Sequence, residues 1–444
     1  MPLSSCPTCG KEFATTTALN KHKERKNPCK PPLTLIQGEV NKALKDAGVP
    51  HLEVPTTEFR ENSKSFHSSL TKEQRLKEGI FFTPKKARDI LFAKLAELGI
   101  RPTKILEPSF GSGEFLLDAR RIYPTAKLTG VELNDKLFDA VKCPGSTLIS
   151  GDFLEWKPKE TNKHDLILGN PPYFVLKGAK PGYEKAMTGR PNIYVLFLYK
   201  CLEEHLESDG FLAFIIPTSL YNCSYYQPMR DYIHKNTTIL HLESLTKPGF
   251  YETAQETMLM ILQNKKMNDN YIFHSKTNKI YISPYYKELY ELTKESKTLV
   301  ELGLGVKTGN VVWNQEKQHL ADEGTLLIYS SNINKCELKL DNLGGNERKQ
   351  YVKGITKPTL SGPVILVERG YGHSMNLNAV LVNLKNFYAE NHINIIYPKT
   401  EDAVKNLEKV IESFKDLRTK KFIEYFIANG SVSATDMETL VPIY

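Results

Sequence analysis

The residues best suited to chemistry in this 444-residue chain are Asn170-Pro171-Pro172-Tyr173, which close the apolar run Asp165–Gly169. Two consecutive prolines stiffen the backbone and leave a carbonyl free to face a cleft with no amide competing for the position. The Asn170 side-chain oxygen and the Pro171 carbonyl can then accept both hydrogens of a planar NH2 group. Drawing those hydrogens out of plane releases the nitrogen lone pair from its ring, and the same acceptors stabilise the positive charge that grows as the nitrogen attacks a sulfonium methyl. Tyr173 supplies a flat surface for the substrate. Upstream, the run Lys104–Pro108 leads into a Gly-x-Gly turn at Gly111 and Gly113, with Glu107 just before it. That turn lets a ligand approach the backbone, although the third glycine of a dinucleotide fingerprint is absent. Glu132 ends the next apolar run, where it can accept from a ribose hydroxyl pair. The following run ends in Gly151-Asp152-Phe153, an acceptor for an exocyclic amine beside a ring that can stack on adenine.

These groups can meet only if the runs that carry them are neighbouring strands. KILEP, KLTGVEL, STLISGDF, HDLILGNPPY and GFLAFIIP are short, β-branched or leucine-rich, and separated by helical lengths. The alternation predicts an α/β domain with a mostly parallel sheet over residues 79–268. Residues 31–78 read as a linker, with an amphipathic helix near Leu35–Ala47 and then a polar stretch. Residues 270–300 read as connective, and residues 269–444 together as a mixed α/β domain. No run of eighteen apolar residues occurs and the N-terminus has no signal-peptide pattern, so a soluble, intracellular protein is expected. The net charge of +8 suits a polyanionic partner.

Three of the seven cysteines fall in the first 29 residues, a distribution that speaks against a disulfide framework. Cys6, Cys9 and His22 have the spacing of a ββα zinc finger, with Phe13 and Leu19 at its two core positions. The fourth ligand is Cys29, at a longer gap than the usual histidine. Residues 1–30 are therefore expected to form a small finger around one structural zinc ion, since a unit this short cannot build a core without metal.

From Phe81 to Ile233 the motif order resembles the gamma-type adenine-N6 DNA methyltransferases, whose catalytic domain precedes the target-recognition domain and which use S-adenosylmethionine; the resemblance implies a Rossmann-like fold with a mostly parallel sheet of seven strands. The resemblance implies that Thr83 binds the methionine carboxylate of the cofactor and that Glu107 lies near its methionine or sulfonium end. It implies that Glu132 binds the ribose, Asp152 the adenine amine and Phe153 the adenine face, with Gly111, Gly113 and Pro172 also against the cofactor. Asn170, Pro171 and Tyr173 are implied as catalytic residues. A second aromatic wall for the flipped-out target base falls on Tyr226, or on Tyr225 if the alignment slips by one. More weakly, residues 269–444 resemble the target-recognition domain, with Lys307, Asn310, Arg369, Tyr371, His373 and His392 as DNA contacts. The implied partner is double-stranded DNA, methylated by a monomer that lacks a nuclease domain and can work beside a separately encoded restriction endonuclease. The fused finger points to a large eukaryotic DNA virus or a eukaryote as the source. Two other readings use the same residues: an N5-glutamine protein methyltransferase, whose substrate is also a planar NH2 group, and an inactive methyltransferase fold that only binds DNA. A peptide-tail substrate needs neither the long C-terminal region nor a basic finger.

Overall fold

The computed structural model describes residues 82–157, 163–178, 180–189, 192–245, 256–369, 377–426 and 432–444, together with residues 4–5, 12–13 and scattered positions between 59 and 73. The zinc-finger quartet Cys6, Cys9, His22 and Cys29 and the helix expected near Leu35–Ala47 lie outside these residues. Strands Ser4–Ser5 and Glu12–Phe13 pair antiparallel.

Seven strands form the principal sheet: β1 (Lys104–Glu107), β2 (Lys127–Glu132), β3 (Ser146–Ser150), β4 (His164–Gly169), β5 (Leu206–Pro217), β6 (Thr238–Leu245) and β7 (Thr257–Gln263), in the order β3-β2-β1-β4-β5-β7-β6. The pairs β1/β2, β2/β3, β1/β4 and β4/β5 are all parallel. Ile105, Leu106, Leu166, Ile167 and Leu168 are fully buried, which explains why these strands read as continuous apolar runs rather than alternating ones. Three helices on this sheet matter for the site: α1 (Lys85–Glu97), α2 (Glu114–Ile122) and α3 (Asp135–Ala140). A fourth, α4 (Ile193–Lys200), is apolar nearly all round and correspondingly buried. The chain winds outward in opposite directions from β1 and β4, so the carboxyl ends of these two adjacent strands flank the crevice where open α/β sheets bind ligands. Glu107 ends β1, and Asn170 follows β4 directly.

By internal contacts the chain forms two units. The first holds residues up to 176 with 192–216 and 245–265, and the second holds 177–191, 217–244 and 266–444. In the second unit, β8 (Leu304–Thr308), β9 (Val364–Glu368), β10 (Ala379–Val382) and β11 (Ile393–Pro398) make a sheet in the order β8-β11-β9-β10, and a further four-stranded sheet includes Thr325–Ile328 and Phe387–Ala389. Residues 270–300 are not merely connective. Ile272–His274 and Ile280–Ile282 form an antiparallel pair and Tyr286–Thr293 a helix, and Phe273, Tyr281 and Leu289 enter the core. Their lysines and tyrosines mask this pattern because Tyr281 buries its ring while its hydroxyl donates to Asp436 at 3.0 Å. Among the described residues no helix is long and apolar enough to cross a membrane.

Candidate active site

The glycine turn comes first, because it sets where α2 begins. Gly113 caps this helix with φ +76°, and a Cβ there would lie 2.7 Å from Val141 Cγ1, so both backbone conformation and space require glycine. The turn is tied to the next strand end by Glu132, whose Oε2 accepts from the Gly111 amide at 2.7 Å and whose Oε1 accepts from the Asn134 amide at 2.8 Å. Burial raises the Glu132 pKa while these two amides, with that of Leu133, oppose the rise.

Glu107 is 2% exposed and its Oε2 has no hydrogen-bond partner among the described residues. Burial, and after it the neighbouring Glu132 charge, push its carboxyl well above the usual range, opposed by the Leu116 amide and by Arg88. An unpartnered buried acceptor costs free energy unless a ligand satisfies it. An α-ammonium can donate to that oxygen and a sulfonium can lie against its charge, and S-adenosylmethionine carries both. The donor set of the crevice therefore suits this cofactor.

Thr83 is 4% exposed and held through its backbone: its carbonyl accepts from Arg88 Nη1. Arg88 on α1 is itself buried, with Nε 2.8 Å from Asp118 Oδ2 and Nη2 3.0 Å from Glu114 Oε2, both carboxylates lying on α2. Ser63, from the stretch read as a linker, is buried and donates to Glu114 Oε1 at 2.6 Å, with its hydroxyl also 2.8 Å from that of Ser112. The Thr83 hydroxyl oxygen accepts from Asn170 Nδ2 at 3.0 Å. The other end of that amide, Oδ1, accepts from the Tyr173 hydroxyl, which also lies 2.6 Å from the Ile215 carbonyl. Burial raises the Tyr173 pKa, so the phenol stays protonated and serves as donor. The Tyr173 ring meets Tyr194 edge-on at 6.1 Å. Thr83, Glu107, Glu132, Asn170 and Tyr173 thus stand on neighbouring strand ends and the segment leading into α1.

Two other residues have structural surroundings of their own. Asp152 Oδ1 accepts from the Leu154 amide at 2.8 Å, which closes a turn. Phe153 is 2% exposed, with ring centroids of Phe197 at 5.0 Å and His205 at 4.9 Å, and the Lys200 ammonium 5.9 Å away. Its ring packs among these neighbours. An apolar side chain after an acidic strand end satisfies packing and stacking equally well in sequence, and only its neighbours separate the two.

In the second unit, Tyr226 is buried, whereas Tyr225 is 43% exposed with its ring against Gly189, where a Cβ would lie 2.5 Å from Tyr225 Cδ1. Lys307 is exposed with its ammonium 5.2 Å from the Tyr397 ring centroid. Asn310, Arg369 and His392 are gathered at one end of the β8-β11-β9 sheet. The Arg369 amide donates to the His392 carbonyl at 2.8 Å, Arg369 Nη1 donates to the Asn391 carbonyl at 3.2 Å, and the Asn391 amide donates to the Val311 carbonyl at 2.9 Å. The His392 side chain is 63% exposed. Tyr371 and His373 lie outside the described residues. Ser63, Arg88, Glu114 and Asp118 are not legible as a group in the sequence, because a polar or charged side chain carries no signal of which distant segment it will bury against.

A model of the Eco57I restriction-modification methylase family matches residues 128–250. The chain is 31% identical over 394 residues to the type II methyltransferase M.CvrRI of Paramecium bursaria Chlorella virus XZ-6E, covering 87% of this chain and 99% of that protein. It is 29% identical over 400 residues to the modification methylase CviBIII of Paramecium bursaria Chlorella virus NC1A, again covering 87% and 99%. Among solved structures, the methyltransferase subunit of a type I restriction-modification system from Streptococcus thermophilus is similar over 47% of this chain and 51% of that one, at 22% identity and a TM-score of 0.36.

Proposed function

This chain belongs to the type II restriction-modification methyltransferases, and from that premise we propose that it methylates the N6 amine of an adenine in double-stranded DNA. The observation that carries the reading is the Asn170 amide, whose nitrogen is spent on Thr83 and whose oxygen meets a donor in the crevice beside Glu107. S-adenosylmethionine supplies an electrophilic methyl on a positively charged sulfur. The rest is done by the chain. Glu107 sets a carboxylate beside that positive end, Glu132 and Asp152 bind the adenosine hydroxyls and amine, and Gly111, Gly113 and Pro172 let the cofactor lie close to the backbone. Asn170 Oδ1 and the Pro171 carbonyl accept the two hydrogens of the target amine, turn its lone pair toward the methyl and stabilise the growing positive charge. As the new N–C bond forms, the S–CH3 electron pair would stay with the cofactor's sulfur, leaving a neutral thioether, and the methylated amine would lose its extra proton to solvent.

An adenine within a duplex is shielded by pairing and stacking, so it reaches Asn170 only when rotated out of the helix. Tyr173 and an aromatic near Tyr226 are assigned to hold it. The exposed Lys307 and the Asn310, Arg369 and His392 group are assigned to DNA, with Lys307 on phosphate and the others on base edges. Cys6, Cys9, His22 and Cys29 are assigned to one structural zinc, on their spacing alone. The deciding experiment incubates the protein with S-adenosylmethionine and unmethylated DNA, followed by nucleoside analysis and long-read mapping. N6-methyladenine at one sequence motif is expected. N4-methylcytosine, or methyl label only on protein glutamine, would refute the assignment.

A further inference from the structure

We propose that His234, Asp269 and His274 bind one divalent transition-metal ion of the zinc class, which clips the end of the helix Gln227–Asn236 to the strand Ile272–His274 within the second unit. The three residues belong neither to the crevice nor to the cysteine quartet, so the site stands or falls independently of the function proposed above. Each offers one ligand atom, and these atoms all lie within 4.8 Å of one another. Two imidazoles and a carboxylate form a donor set that suits zinc and its neighbours, whereas magnesium and calcium take oxygen ligands.

The backbone brings the three together. Arg230, one helical turn before His234 and on the same helix face, is buried and donates from Nε to the Ile280 carbonyl at 2.7 Å. Ile280 is the register partner of His274 in the antiparallel pair. Helix and hairpin are thus locked close to the two histidines, whose rings meet at 79° with centroids 4.9 Å apart. The turn that carries Asp269 is tied to the same helix end. There the Met267 amide donates to Thr238 Oγ1 at 2.8 Å, and the Ile272 amide donates to the Asp269 carbonyl at 3.1 Å.

Protein groups alone leave this cluster in conflict. His234 Nδ1 lies 3.1 Å from Asp269 Oδ1, which calls for an N–H, and 3.3 Å from Lys266 Nζ, which calls for a lone pair. One ring nitrogen cannot supply both. Lys266 Nζ also bonds Asp269 Oδ1, so a cationic group already sits against two of the three ligands. A metal ion takes lone pairs from nitrogen and carboxylate alike and removes the conflict. Ligand atoms around tetrahedral zinc stand about 3.3 Å apart, given bonds of about 2.0–2.1 Å. His234 and Asp269 are already near that spacing, and the exposed His274 has room to close the rest. Lys266 then swings out to solvent on its flexible stem, and water fills the fourth position.

The full-length protein, dialysed under reducing conditions so that any ion on the cysteine quartet stays in place, is titrated with zinc chloride by calorimetry. One further equivalent is expected, with a rise in melting temperature. His274→Gln, at an exposed position, should leave the melting temperature before zinc addition nearly unchanged. It should raise the Kd for zinc by at least about 10- to 100-fold, the scale lost when only a supporting partner of a ligand is removed. Asp269→Asn should do the same, and Cys29→Ser should leave this equivalent untouched. Lys266→Met should tighten binding about fivefold or more, because it removes a positive charge that competes for the same lone pairs. Equal zinc affinity in wild type and His274→Gln, or no gain in Lys266→Met, would overturn the site. The unaltered chain supplies a second measurement: with 15N-labelled histidine, zinc should shift the ring nitrogens of two histidines together at one equivalent, and the proposal fails if no pair responds.

Discussion

Glu107→Gln should make the cofactor-free protein more stable and its cofactor complex weaker, a pair of opposite effects that few substitutions produce. The carboxyl is buried at the end of β1 with Oε2 unpartnered among the described residues, and burial followed by the Glu132 charge raises its pKa well above the usual range. A carboxyl whose folded pKa exceeds its unfolded value contributes stability that is present below the unfolded pKa, about 4.3 for glutamate, and lost as pH rises through the folded pKa. Above the unfolded pKa the folded chain must either hold a proton that the unfolded chain would lose or bury the anion, a cost that glutamine lacks, so the variant's melting temperature without cofactor should rise. S-adenosylmethionine reverses the preference, because its sulfonium and ammonium favour the ionised form. Cofactor binding is thus linked to loss of the Glu107 proton, and affinity should climb with pH until the free-protein pKa is passed. A hydrogen bond to a charged group is worth about 1.5–3 kcal/mol, so losing it should raise Kd by about 10- to 150-fold. Isothermal titration across about pH 6–9, in two buffers of different ionisation enthalpy, would give both the affinity and the protons released. If the glutamine variant binds within about twofold of wild type with the same pH profile, Glu107 does not face the cofactor's positive end.

Asn170→Ala should lower kcat by about 10²–10³ or more while leaving cofactor affinity nearly unchanged, since it removes an acceptor for the developing charge and not an adenosine contact; retention of half the wild-type rate would refute the mechanism. Tyr173→Ala should weaken capture of the flipped base by about 1–3 kcal/mol, read as a smaller fluorescence rise with 2-aminopurine at the target position, whereas Tyr173→Phe, which keeps the ring and frees the Asn170 oxygen, should not reduce that rise. His205 is fully buried with neither ring nitrogen hydrogen-bonded among the described residues, and burial, Lys200, His164 and Lys163 hold its pKa down to about 3. Its contribution to stability is present above the unfolded pKa of about 6.5 and lost as pH falls toward 3, at up to about 1.4 kcal/mol per pH unit, so denaturant midpoints should fall below pH 6.5 less steeply in His205→Phe than in wild type. The full-length protein under reducing conditions should hold about one zinc ion per chain, and Cys29→Ser should lower it; a zinc-free wild type would remove the quartet from consideration.

The sequence alone determined which groups stand at the strand ends, because that information is local. A buried parallel strand is a short apolar run, its carboxyl end faces the crevice, and the residue found there is read directly: Glu107, Glu132, Asp152 and Asn170. The Gly-x-Gly turn was legible for the same reason, since a helix entered at φ +76° needs glycine wherever it occurs. Side-chain partnership was not legible, because it depends on segments far apart in the chain. Thr83 and Asn170 are separated by 87 positions yet share a hydrogen bond, and Ser63 reaches Glu114 across 51. Phe153 shows the limit plainly: one aromatic letter after an aspartate says nothing of its neighbours, and only the tertiary structure sets its ring 5.0 Å from Phe197 and 4.9 Å from His205. Residues 270–300 failed for a related reason, as tyrosines that bury a ring and keep a hydroxyl bonded look polar in composition and behave as core once packed. Periodicity records what a residue needs from its own strand, whereas burial and pairing are decided by the segment packed against it.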